Sequence, residues 1–162
     1  MHGVVVGLHV NPEGGVPKHP VEHLRVETNG CDGDKQNDVR YHGGPTRAVC
    51  LMESRIMTML QEQGHPIGPG TTGENLLVDG LPAGSLEPGT VLQVGSSMMR
   101  ITTDAPPCKT IRASFSNHEF KALSHKQTKG VTRWYAEVLE EATVNLGDPV
   151  SIISGDVPVG SR

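Results

Sequence analysis

His2-Gly3-Val4-Val5-Val6-Gly7-Leu8-His9-Val10 opens the chain with a β-branched, apolar run that reads as a strand. Gly14, Gly15, Pro17 and Pro20 then break it into a loop. Residues 21–27 place Leu24 and Val26 between His23, Arg25 and Glu27, the alternation of a half-buried strand. Further strands are expected at 74–78, 90–94 and 98–103, separated by Gly and Pro. Closing strands carry Val144, Leu146, Val150 and Ile152 around Gly147-Asp148-Pro149. Residues 47–52 (RAVCLM) read as a short buried strand or as the lead-in to a helix. Met52, Ile56, Met59, Leu60 and Gln63 follow at helical spacing, and Gly64 suits the C′ position. Ser116 with Glu119 has the spacing of a capping box, and Phe115 with Phe120 that of a hydrophobic staple, so a short helix is expected there. Trp134, Tyr135, Val138, Leu139 and Ala142 suggest an amphipathic helix through about Glu141. The pattern is one β-rich domain over residues 1–153 with two or three helices, followed by a polar tail at 154–162.

Composition agrees. Among 162 residues there are 20 Gly and 12 Pro, which favours short elements and tight turns over a helical bundle. Folding removes on the order of 17,000 Å² from water, enough for a core without disulfide or metal staples. Aromatics are only 3% of the chain, so Val, Leu, Ile, Met and Ala must fill that core. The net charge of −4 lacks the basic excess of a broad nucleic-acid surface, though it leaves room for a local basic pocket. The N-terminus has no basic n-region, and no run approaches the length of a membrane span. Cys31, Cys50 and Cys108 are an odd set without CxxC spacing, as expected of free thiols in the cytoplasm.

Several familiar constellations fail on inspection. Gly68, Gly70 and Gly73 match GxGxxG, but a Pro/Gly stretch precedes them and Pro69 lies inside. Asp32, Asp34 and Gln36 begin like a calcium loop, yet Asn37 and Gly43 stand where the turn glycine and the bidentate Glu are required. His19 and His23 are separated by Pro20 and belong to no HExxH. There is no Walker A motif and no GxSxG elbow.

Three segments carry chemistry-bearing side chains on stiff or Gly-rich backbone. Gly14-Gly15-Val16-Pro17-Lys18 ends in a lone cation. His42-Gly43-Gly44-Pro45-Thr46-Arg47 flanks a turn with an imidazole and a guanidinium. Ala105-Pro106-Pro107-Cys108-Lys109 stiffens the chain before a thiol with a Lys beside it. Cations beside a cysteine favour the thiolate, the form that ligates metals and attacks electrophiles. Read from the residues alone, Cys108 also suits a small buried hydrophobe, and Lys18, His42 and Arg47 suit solvated turn chemistry.

Taken together and in order, these segments resemble the MOSC domain, named for the molybdenum cofactor sulfurase C-terminus. The pattern runs through Gly33-Asp34, Gln36 and Asp38, His42-Gly43-Gly44-Pro45-x-Arg47-Ala48-Val49, and Gly64-His65-Pro66-Ile67. It continues with Gly73-Glu74-Asn75-Leu76, Ala105-Pro106-Pro107-Cys108, Arg133-Trp134-Tyr135 and Gly147-Asp148-Pro149-Val150. The resemblance implies a mainly β fold, a barrel of mixed strands with two or three peripheral helices. It also implies a small stand-alone member, without the pyridoxal-phosphate desulfurase domain or the additional N-terminal barrel domain of larger relatives.

The same resemblance implies binding of the molybdenum cofactor, molybdopterin-bound molybdenum, with Cys108 as metal ligand and catalytic centre. Lys18, His42, Gly43, Arg47, Gly73, Glu74, Asn75 and Arg112 become candidate cofactor-binding residues. Lys18 and Arg47 offer charge, Gly-rich turns offer N–H groups, and Arg112 a further anion contact. Glu74 and Asn75 either orient the pterin, hold the cysteine loop in place, or form a structural turn network. The implied reaction is reduction of a small N-hydroxylated substrate, with electrons from a separate reductase because no flavin, haem or iron–sulfur motif is present. The alternatives are a persulfide carrier on Cys108 served by a sulfur donor, and a protein that only stores the cofactor. Neither nucleic acid nor membrane is an expected partner.

Overall fold

The computed structural model describes residues 2–35 and 44–153. The expected tail at 154–162 lies outside them, as do His42 and Gly43. In chain order the strands are β1 (His2–Val10), β2 (His19–Pro20), β3 (His23–Glu27), β4 (Gly30–Cys31) and β5 (Val49–Glu53). Helix α1 (Ser54–Glu62) follows, then β6 (Leu76–Asp79), β7 (Val91–Val94), β8 (Ser97–Ala105), β9 (Arg133–Glu140), β10 (Ala142–Asn145) and β11 (Pro149–Ile153). Single 3-10 turns occupy Pro45–Arg47, Lys109–Ser114, Ser116–His118 and Phe120–Ala122.

β11 pairs with both β7 and β1, so β1, β11, β7, β8, β9, β5 and β6 close into a barrel. β5 and β6 run parallel, because α1 carries the chain back between them; the other barrel pairings are antiparallel. Closure removes the open edges that a sheet of this length would expose. β3, β4 and β10 form a small separate sheet. The barrel interior is filled by Val5, Leu8, Leu51, Leu92, Met99 and Trp134, among others. A second apolar cluster joins Ile56, Met57 and Leu60 of α1 to Ile111, Phe115 and Leu123 of the 3-10 segment. α1 ends at Gly64, whose φ of 95° no β-carbon-bearing residue adopts readily.

Two local expectations are corrected. Residues 133–140 are a strand, not a helix. Trp134 and Val138 satisfy both periods, being four apart and also on the same face of a strand. What decides is pairing on both sides, with β8 and with β5. Trp134, Ala136 and Val138 enter the barrel while Tyr135 packs on the other side against Cys50 and Ala105. At Ser116 no capping box forms: Asn117 and His118 take positive φ, which stops the turn after three residues. The Ser116 N–H instead donates to His65 Nδ1 at 3.1 Å.

The barrel interior is the main store of stability. Leu51→Ala, at a fully buried position, lowers unfolding free energy by about 2–5 kcal/mol. Val6→Ala, on the exposed face of β1, changes it by no more than about 0.5 kcal/mol. Urea titrations followed by circular dichroism check both values.

Candidate functional site

The register places the C-terminal ends of β1 and β8 beside the N-terminal ends of β6 and β9, at one end of the barrel. The loops at this end are joined to one another by side-chain hydrogen bonds.

Lys18 is buried, with its ammonium paired to Asp34 Oδ2. The same oxygen accepts from Asn75 Nδ2 at 2.9 Å, and Oδ1 accepts from the Asn11 N–H at 2.9 Å. Desolvation makes such a cation costly unless a counter-ion and hydrogen bonds surround it, and here both are present. The Lys18 N–H donates to the Gly70 carbonyl at 2.8 Å, tying the loop at 14–18 to that at 68–73. Gly70 has φ 81°, and a β-carbon there would overlap the Lys18 carbonyl oxygen, so only glycine permits this approach. Gly73 lies on the same seam, facing Val16 and the Lys18 stem.

Glu74 and Asn75 are both buried, and their bonds run to protein groups. Glu74 accepts from the Gly70 N–H at 2.6 Å and from the Thr72 hydroxyl at 2.7 Å. Asn75 Oδ1 accepts from the Cys50 N–H at 3.0 Å, and its Nδ2 also reaches the His9 carbonyl at 3.2 Å. His9 packs beside Glu74, its Nδ1 4.0 Å from Oε2 and without a hydrogen-bond partner. Burial holds the imidazole below its ordinary value of 6.5 despite the nearby carboxylate.

Arg133, at the start of β9, connects this network to the cysteine loop. The residue is 5% exposed. It donates to the carbonyls of Thr72 at 2.6 Å, Ala105 at 3.2 Å and Pro106 at 3.0 Å. Among the described residues no carboxylate neutralises it, and its Nε is buried without a partner. Glu74 orients Thr72, the Thr72 carbonyl anchors Arg133, and Arg133 fixes the backbone two residues before Cys108.

Cys108 is the one partly exposed thiol; Cys31 and Cys50 are buried. Its Sγ lies 2.7 Å from the Thr110 hydroxyl. Burial pushes the Cys50 thiol up to about 11, against the pull of Arg133, and burial raises Cys31 as well. Across the wall Arg47 stacks over the Tyr135 ring, 5.4 Å from its centroid. The phenol of Tyr135 is pushed up to about 12, chiefly by burial, and feels Cys50, Arg133, Arg47 and Cys108 in turn. Arg112 is exposed and donates from Nη1 to the Lys109 carbonyl at 2.8 Å.

Lys18, Gly73, Glu74 and Asn75 therefore share one hydrogen-bonded network, which Arg133 links to the loop of Cys108, with Arg47 across Tyr135. Arg112 sits outside that network. Asp34, Thr72, His9 and Arg133 were not singled out as site residues from sequence. Arg133 has one local signal, a cation leading a run of buried apolar residues. Among the described residues no cluster of three or more His, Cys, Asp or Glu is placed to hold a metal ion by itself.

The MOSC domain family model matches residues 38–151. An uncharacterized Bacillus subtilis protein, YflK, is 30% identical over 144 residues, covering 88% of this chain and 64% of that protein. Escherichia coli YiiM is 26% identical over 135 residues, covering 81% of this chain and 59% of YiiM. The chain thus spans less than two thirds of either relative. Among solved structures, Bacillus subtilis YuaD superposes with a TM-score of 0.70 at 16% identity, over 93% of this chain and 94% of YuaD. Geobacillus stearothermophilus YiiM superposes with a TM-score of 0.65 at 22% identity, over 97% of this chain and 76% of that one.

Two outcomes follow from the network. Arg133→Met leaves buried carbonyls unsatisfied; it costs about 1–3 kcal/mol and speeds amide exchange at 107–111 while sparing β10, as hydrogen-exchange mass spectrometry reads directly. Below pH 6.5 the unfolded chain binds a proton that folded His9 refuses, so stability falls as pH drops through that range. His9→Phe removes this part of the slope, measured by comparing urea midpoints at about pH 7.5 and about pH 5.5.

Proposed function

We propose that this chain, which belongs to the MOSC domain family, holds the molybdenum cofactor at the barrel end bearing Cys108 and reduces N-hydroxylated compounds there. The family in general binds that cofactor. The observation that carries the reading is the setting of Cys108, a partly exposed soft sulfur on a loop clamped by a buried guanidinium that pairs with no carboxylate among the described residues. The residues fit the group. Cys108 supplies a thiolate donor, Arg133 a positive field for an anionic moiety, and the orphaned Arg133 Nε and His9 Nδ1 are buried polar atoms without partners.

When bound, the cofactor supplies a metal that takes up and releases electron pairs. The protein's own share is positional. Cys108 anchors the group, Arg133 keeps that sulfur's loop against the Thr72 segment, and Glu74 and Asn75 hold the segment rigid. Arg47, stacked over the Tyr135 ring, would supply a cation for a polar substrate. In the net reaction the N–O bond breaks, the substrate gains two electrons and two protons, and oxygen leaves as water. The electrons come from a separate donor.

Protein made in a host that synthesises the cofactor is expected to contain molybdenum near one per chain. Cys108→Ser is expected to lose it, whereas Cys31→Ala and Cys50→Ala retain it, Cys50→Ala with some loss of stability. Metal analysis and reduction of a small N-hydroxylated compound by a chemical electron donor read the two halves of the proposal. Cyanide-labile sulfur on Cys108 without metal would favour the sulfur-carrier reading instead. In cofactor-free protein iodoacetamide labels Cys108 faster than the buried Cys31 and Cys50 at about pH 7.5, by mass-spectrometric mapping.

A further inference from the structure

The segment after Cys108 carries the opposite charge to the rest of the chain. Residues 106–132 hold Lys109, Arg112, Lys121, Lys126 and Lys129 against a single carboxylate, Glu119, in a chain whose net charge is −4. The lobe is firmly anchored. Ile111, Phe115, Leu123 and Val131 are buried in the second apolar cluster, with Phe120 packed at its margin. All five cations are consequently turned outward and exposed.

Outside the lobe, three arginines among the described residues pair with carboxylates. Arg25 pairs with Glu27, Arg55 with Glu53 and Arg100 with Glu137. Among the described residues none of the five lobe cations is paired with a carboxylate. Solvation alone is served by interspersed signs, whereas five like charges on one rigid lobe repel each other. The first two, Lys109 and Arg112, lie in the 3-10 turn that starts immediately after Cys108, and Arg112 is tied to the Lys109 carbonyl.

We propose that this lobe is the docking face for an acidic protein that delivers electrons to the Cys108 site, an inference that rests on the reductive reading above. The cations are spread over the 3-10 turns Lys109–Ser114 and Phe120–Ala122 and on to residue 129, a spread that suits a broad acidic surface better than a small anion. Phe115 is buried and Phe120 half-buried, so the lobe offers no exposed Phe, Tyr or Trp ring for stacking nucleic-acid bases. The acidic remainder of the chain repels an extended polyanion but not a protein that touches the lobe alone. Long-range attraction between such faces raises encounter rates and fades with salt.

The test uses the full chain, a K121E/K126E/K129E variant and an R25E control, with poly-L-glutamate as acidic-protein probe and single-stranded DNA of similar charge as its competitor. Binding is measured by thermophoresis at low and moderate salt. Poly-L-glutamate is expected to bind the wild type and R25E, more tightly than DNA does. Its affinity is expected to fall at least about tenfold with salt and at least about tenfold in the triple variant. No binding, binding unchanged in the triple variant, or tighter binding of DNA would overturn the proposal. Molybdenum content is measured on the same samples. Metal present without probe binding removes the docking face alone, and probe binding without metal removes the reductive reading while leaving an acidic-protein site.

Discussion

The three carbonyls that share the Arg133 guanidinium are the contact on which the site depends. Thr72 lies before β6, while Ala105 and Pro106 lie at the end of β8, and the first two carbonyls are bonded in a buried region where an unmet acceptor is costly. A single planar cation with several donors in fixed directions can satisfy all three. Lysine, with one compact ammonium, cannot reproduce that fork. Among the described residues no carboxylate pairs with that charge, so the same residue that closes the loops also places a positive charge at this end of the barrel.

The barrel makes this economical. With seven strands closed on themselves, the loop attachments are fixed by register, and the loops need only a few cross-links to become one surface. Lys18 with Asp34 and Asn75 supplies one such cross-link, and Glu74 with Gly70 and Thr72 a second. Cys108 stands at the margin of this set, beyond Pro106 and Pro107, where its sulfur is reachable. The two other thiols are held as core residues, and burial disfavours their ionised forms.

Much of the barrel was legible from local pattern. β1, β3, β6, β7 and β8 follow from alternation or β-branched runs, and Gly64 ends α1 where its backbone preference requires. Residues 133–140 were misread because Trp134 and Val138 fit both periods, and only neighbouring strands decide between them. The expected helix at Ser116 failed because the capping pattern is silent on the positive φ of Asn117 and His118. In the site, Cys108, Arg47 and Lys18 stood out because each sits on Gly- or Pro-rich backbone. Arg133 and Asp34 were not recognised as site residues because their partners are distant in sequence. Arg133 bonds to residues 61 and 28 positions away, and no short spacing encodes such a contact.

Molybdenum K-edge X-ray absorption of the purified holoprotein tests the central claim most directly. Sulfur ligation in the wild-type holoprotein should exceed that in the protein-free cofactor by one ligand, and Cys50→Ala should match the wild type. Sulfur coordination equal to that of the protein-free cofactor, or full retention of molybdenum by Cys108→Ser, would contradict the assignment of Cys108 as the metal ligand.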